Sequence, residues 1–142
     1  NLLGMFLENY LLIFCVIGHI QQKNHALSLT THEWVLSLDA DECLSTKLRD
    51  TLLQLKKTGT QLDAYQLNRL NNFAGQWIRH GGWYPDRKIR LFKKSKAHWG
   101  GMNPHDKIEL RAGSSIGRLR GDLLHFTYDR TEDFKIQNVK IS

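Results

Sequence analysis

Trp34-Val35-Leu36-Ser37-Leu38-Asp39-Ala40-Asp41-Glu42 is the stretch on which the fold turns. Trp34 to Leu38 is a compact apolar run of strand length, and it stops abruptly in three carboxylates within four residues. A buried strand that ends this way places charge at the carboxyl edge of a sheet, where open α/β sheets bind their ligands. Upstream, Gln21 to Leu29 reads as a short helix with Ala26, Leu27 and Leu29 available for packing. Further back, Leu11 to Gly18 is an uninterrupted apolar run flanked by Glu8, Asn9 and His19. It is too short for a membrane span, which needs roughly 20 apolar residues, and it lacks the basic leader and small-residue cleavage site of a secretory signal. A buried β-strand is the expectation, with a membrane-inserting segment as the alternative.

Downstream, Ser45 is placed to cap a helix whose Leu48, Leu52 and Leu55 share one face, with Lys56 and Lys57 near its end before Gly59. Asp63 to Arg69 reads as a strand and Asn71 to Trp83 as a Gly- and Asn-rich loop. Arg87 to Lys93, His105 to Leu110, Ile116 to Leu119 and Leu123 to Thr127 are further strands, and Thr131 to Ile141 begins a helix. Alternating helix and strand signals give an α/β layer architecture.

At 142 residues with 41% hydrophobic and 24% charged residues, the chain suits one globular domain and is neither collagen-like nor disordered. The formal net charge is +6, and the whole surplus lies between Gln76 and Arg111, where nine basic residues face three acidic ones. A concentrated basic stretch points to an anionic partner: nucleic acid, an acidic membrane surface or a phosphorylated small molecule. The cysteines, Cys15 and Cys43, have no metal-ligand spacing and suggest no disulfide framework, so a reducing compartment is expected. The chain begins with Asn and ends in a helix without a cap, so both ends are expected to be cut.

Asp39 and Asp41, two residues apart at a strand end, can converge on one hard cation such as Mg²⁺ or Mn²⁺, which keeps water or substrate phosphates in its remaining positions. An acidic turn capping the following helix explains them equally well. In the loop from Arg79 to Asp86, Gly81 and Gly82 allow backbone to approach a ligand, Trp83 and Tyr84 offer flat surfaces for a sugar ring, and Arg87 or Arg90 can neutralise phosphate. Asp106, after His105, is of the type that serves as a general base, although a loop Asp is usually a turn residue. His125, in an apolar strand, is by default a hydrogen-bonded core histidine and secondarily a ligand.

The blocks Gln22-Lys23-Asn24-x-Ala26-Leu27, Trp34 to Glu42, Trp77 to Phe92, Trp99 to Asp106 and Gly117 to His125 together resemble family 2 glycosyltransferases. Within that family they are most similar to the branch that builds the lipopolysaccharide inner core, often described as β-glucosyltransferases. The resemblance covers about Gly18 to Asn138, and it implies a GT-A type, Rossmann-like α/β domain with a mixed sheet and flanking helices. It also implies that the leading strand-helix units that bind nucleobase and ribose are absent. Residues 1–17 do not resemble those units and are expected to be a divergent apolar segment, with 18–142 a partial catalytic domain and an incomplete nucleotide pocket.

Position by position, the resemblance implies that Asp39 and Asp41 bind a Mg²⁺ or Mn²⁺ that holds the donor diphosphate, Asp41 more directly, with His125 completing the shell. It implies donor contacts from Lys23, Asn24, Asp39, Gly81, Gly82, Trp83, Arg87 and Arg90, and a catalytic base at Asp106, where family members commonly carry the longer Glu. The implied activity is inverting transfer of a hexose, glucose by the branch, from a nucleotide sugar such as a UDP-hexose to a lipopolysaccharide core or other glycolipid acceptor. The implied location is cytoplasmic, at the inner-membrane surface, and no nucleic acid is expected. Two other classes are weighed beside it: a catalytically inactive fragment, and a basic module that binds nucleic acid or a membrane surface. The second explains the charge but leaves Asp39 to Glu42 and the ordered blocks unexplained.

Overall fold

The structure is a computed structural model that describes residues 6–7, 10–15, 20–102 and 105–126, with side chains described from residue 20 onward. Its centre is a mixed sheet in which β1 (Phe6–Leu7), β2 (Tyr10–Cys15), β3 (Trp34–Asp39), β7 (Asp86–Lys93), β5 (Ala64–Phe73), β10 (Ile116–Phe126) and β4 (Glu42–Leu44) lie side by side in that order. A short strand, β6 (Gln76–Ile78), returns along β5, and β8 (Ala97–Met102) pairs with β9 (His105–Leu110) as a separate hairpin. Two helices, α1 (Ile20–Ser28) and α2 (Thr46–Thr58), complete the described fold, with a 3-10 turn at Lys94–Lys96.

β2 and β3 pair in parallel, as do β5 and β10, whereas β7 runs antiparallel to both of its neighbours. With α1 between them, β2 and β3 form a strand-helix-strand crossover whose second strand delivers Asp39 to the sheet edge. Side-chain alternation along β3 then assigns the faces. Leu36 and Leu38 enter one cluster with Leu48 and Leu52 of α2, Leu67, Leu91 and Leu123, while Val35 enters another with Leu27 of α1, Phe92, Trp99 and Ile108. Both faces are covered, α2 on one and α1 with the β8–β9 hairpin on the other, which is why Trp34 to Leu38 reads as a continuous apolar run.

α2 starts where expected. Ser45 Oγ accepts the backbone N–H of Leu48 at 3.2 Å and also that of Asp122 at 3.1 Å, so one cap satisfies a helix end and a kink in β10 together. That kink lies at Gly121, whose φ of +101° suits glycine, and where an added Cβ would run into the backbone of Leu48.

Several expectations are corrected. Asn71 to Trp83 is not all loop: β5 continues to Phe73 and reverses at Ala74-Gly75 into β6, a solvent-facing hairpin that carries no apolar alternation to mark it. Ile116 to Leu119 and Leu123 to Thr127 are one strand as far as Phe126, with a register irregularity between Arg118 and Asp122. Ala97–Met102 and Glu42–Leu44 are strands that glycines and carboxylates concealed. Leu29 is 62% exposed, past the end of α1, and does not pack. Of the Leu11 to Gly18 run, Leu11 to Cys15 is strand, and the rest lies outside the described residues, as does the helix expected at Thr131 to Ile141. Among the described residues no helix is long and apolar enough to cross a membrane.

Candidate active site

β3 ends at Asp39, and the chain turns at Ala40-Asp41 before Glu42 opens β4. The turn is held from inside. Glu42 Oε2 accepts the backbone N–H of Asp39 at 3.0 Å, and its other oxygen receives Arg90 Nη2 at 2.9 Å and Arg69 Nη1 at 3.5 Å. The Glu42 side chain has no exposure, and buried charge of this kind persists only when paired. Arg90 also reaches Asp39 Oδ2 at 3.2 Å, while Arg69 pairs with Asp86, its cross-strand partner, at 2.8 Å. Arg90 is thus a strut between two carboxylates.

Asp39, Arg69 and Arg90 of this group line a cleft of about 550 Å³ that residues of the β8–β9 hairpin also line. Lys23, Asp39, Arg69, Arg87, Lys88, Arg90, Trp99, His105, Asp106 and Lys107 are among its lining residues. Asn24 fixes the hairpin to α1, its side-chain amide donating to Trp99 O at 2.9 Å and its carbonyl oxygen accepting Trp99 N–H at 2.8 Å. The neighbouring Lys23 reaches into the cleft from the same helix. Its ammonium pairs with Asp106, lies 4.0 Å from Asp39 Oδ1 and stands 4.3 Å from the centre of the Trp99 ring. Burial pushes the Asp106 carboxyl up, but the hydrogen bond and charge of Lys23 outweigh it, and the group sits below its ordinary value. Arg87 and Lys107 also line the cleft, both exposed and with no carboxylate partner among the described residues.

Asp41 turns elsewhere. Its Oδ2 lies 3.0 Å from His125 Nε2, and His125 Nδ1 lies 2.7 Å from Asn71 Oδ1. Burial raises the Asp41 carboxyl, yet the hydrogen bond and charge of His125, helped by Arg69, bring it net below the usual value, so it is a carboxylate at neutral pH. His125 and Glu42 are register partners on β10 and β4, and His125 faces Asn71 on β5, so three strands converge on the pair. Among the described residues no three His, Cys, Asp or Glu side chains gather tightly enough to hold a metal alone. A Mg²⁺ or Mn²⁺ bound with substrate phosphates needs only one or two protein ligands. Asp41, half exposed, beside a histidine whose other ring nitrogen is tied to Asn71, fits that lesser demand.

The cleft therefore gathers Lys23, Asp39, Arg87, Arg90 and Asp106, with Asp41 and His125 joined as a separate pair. It does not gather the whole set expected from sequence. Asn24 is committed to the Trp99 backbone, and Gly81, Gly82 and Trp83 are exposed residues that do not line the cleft. Their loop is pinned to β10 instead, Tyr84 OH donating to Asp122 Oδ1 at 2.7 Å and Arg79 lying 3.7 Å from the other oxygen. Glu42, Asn71, Trp99 and Lys107 join the site unannounced. Glu42 had a signal, because a third carboxylate directly before an apolar residue is a candidate for burial; Asn71 had none.

No protein-family model matches the chain. Individual curated proteins do match it in part. A lipopolysaccharide core biosynthesis glycosyltransferase of Rhizobium meliloti, LpsC, is 27% identical over 111 residues, 77% of this chain and 40% of the relative. Uncharacterized glycosyltransferases of Rickettsia conorii and Rickettsia typhi are 36% and 33% identical over 78 residues, 54% of this chain and 24% and 23% of theirs. The chain resembles part of a glycosyltransferase, and it spans less than half the length of these curated relatives.

Proposed function

We propose that the cleft takes the diphosphate of a nucleotide sugar and that the chain carries the donor-handling part of an inverting family 2 glycosyltransferase of GT-A type. The observation that carries this reading is the meeting of Asp106 and Asp39 with Lys23, Arg87 and Arg90 in one cleft. A candidate proton acceptor and an anion clamp then face the same space. The acceptor is a lipopolysaccharide core sugar or related glycolipid, by analogy with the named relative.

In the transfer, the acceptor hydroxyl oxygen bonds to the anomeric carbon as the bond from that carbon to the diphosphate oxygen breaks. The electron pair leaves with the diphosphate, and the hydroxyl proton passes to the Asp106 carboxylate, which is ionised at neutral pH and able to accept it. Arg87 and Lys107 stabilise charge accumulating on the leaving group, while Glu42 and Arg90 keep Asp39 in place. Asp41 and His125 would hold the Mg²⁺ or Mn²⁺, which when bound supplies charge neutralisation of the diphosphate. The position taken by Asp106 is Asp rather than Glu, so the acceptor must approach closer by about one methylene.

Calorimetric titration with UDP-glucose and UDP-galactose tests the reading. Binding is expected, weakened roughly tenfold by Arg87→Ala, or about 1.4 kcal/mol. Absence of any UDP-sugar binding would overturn it.

A further inference from the structure

Lys23 holds an unusual place among the cations of the cleft. It is 8% exposed, its ammonium pairs with Asp106, and Asp39 Oδ1 lies 4.0 Å away. The Trp99 ring, 4.3 Å from the ammonium, keeps it inside the cleft, and the Asn24 bracket keeps α1 from withdrawing it. Asp106 is the carboxylate that the proposed reaction uses as proton acceptor, and the role inferred for Lys23 rests on that reading. A carboxylate engaged with an ammonium is poorly presented to an incoming hydroxyl, because its lone pairs are already directed at N–H groups. A diphosphate entering the same cleft brings more negative charge than Asp106 and competes for the same cation. Lysine can answer that competition, since its charge sits on a flexible stem with three rotatable donors.

We propose that Lys23 couples donor occupancy to the base: it holds Asp106 in the free protein and, when a diphosphate fills the cleft, turns to the phosphate and releases the carboxylate to the acceptor. Lys23 is then a positioning residue as well as a donor contact. A hydroxyl arriving before the donor finds the base engaged, which favours donor binding first.

The competition predicts an effect with a definite sign. Inorganic pyrophosphate, titrated calorimetrically in buffer containing Mg²⁺, is expected to bind Asp106→Asn about fivefold more tightly than the unsubstituted protein, because the ammonium is already free. Lys23→Met is expected to bind more weakly, and in that background Asp106→Asn is expected to change affinity by less than about twofold. Equal tightening in both backgrounds would mean that Asp106 acts merely as a nearby negative charge, and the proposal would fall. Unchanged or weaker binding by Asp106→Asn would overturn it as well. Lys23→Gln completes the same cycle if Lys23→Met does not fold. Failure of the donor reading looks different: the unsubstituted protein then binds neither pyrophosphate nor UDP, and both readings fall together.

Discussion

Glu42 Oε1 and Arg90 Nη2 lie 2.9 Å apart beneath the cleft, with side chains 0% and 7% exposed. The pair joins the acidic turn after β3 to the basic strand β7, so Asp39, Glu42, Arg69 and Arg90 are parts of one network. Removing Glu42 takes away the nearer of the two carboxylates that compensate the buried Arg90 guanidinium and leaves it only Asp39 at 3.2 Å. Glu42→Ala is therefore expected to cost about 3 kcal/mol in urea denaturation, whereas Glu42→Gln, which still accepts the Asp39 N–H, costs less. Equal stability of Glu42→Ala and the unsubstituted protein would show that the network is not what holds the turn.

Gly121 is the second structural prediction. Its φ of +101° and its contact with the Leu48 backbone leave no place for a Cβ, and the kink it makes sets the shared Ser45 cap. Gly121→Ala is expected to lower stability by about 2 kcal/mol or more, read from the thermal or urea midpoint, while Gly113→Ala, open to solvent at φ +82°, costs only the backbone strain.

The Lys23–Asp106 pair gives a pH dependence with a fixed sign. The folded-state value of Asp106 lies below its ordinary 3.8, so the pair's contribution to stability is full above about 3.8 and is lost as pH falls through the lower folded value. The stability difference between the unsubstituted protein and Asp106→Asn should stay constant from about pH 7 to pH 5 and shrink as pH falls below about 3.8. A difference independent of pH over that range would contradict the pairing.

Cys43 is predicted to be chemically quiet. Burial, reinforced by the neighbouring Glu42 charge, pushes its thiol up to about 11, so at neutral pH its thiolate fraction is about two orders of magnitude below that of a free cysteine. In a Cys15→Ser background, alkylation of the native protein should be slow by about that factor and become fast in denaturant. Rapid labelling of the native state would show that the turn before β4 opens readily.

The sequence shows the fold most clearly where burial is one-sided or complete. Trp34 to Leu38, the Leu48-Leu52-Leu55 face and the Ser45 cap all follow from periodicity and capping chemistry, which are local. Asn71 and Trp77 escape that reading because a solvent-facing hairpin carries no apolar alternation, and Ala97–Met102 escapes because two glycines mask a strand held by its partner and by Asn24. At the site, residue types suggest the chemistry of Asp39, Asp106, Lys23 and Arg87, but not the pairings. That Arg90 is spent on Asp39 and Glu42, or that Asp41 faces His125 rather than Asp39, depends on strand order across the sheet, which no local pattern encodes.

Every proposed step depends on the cleft and the acidic turn together holding a nucleotide-sugar diphosphate with a divalent cation. Calorimetric titration of a UDP-sugar into the unsubstituted protein and Asp41→Ala, each with Mn²⁺ and with chelator, tests this most directly. Binding that needs Mn²⁺ and is lost in Asp41→Ala is the predicted result. No UDP-sugar binding, together with DNA binding that is salt-sensitive and indifferent to metal, would contradict it and leave the basic surplus serving a different partner.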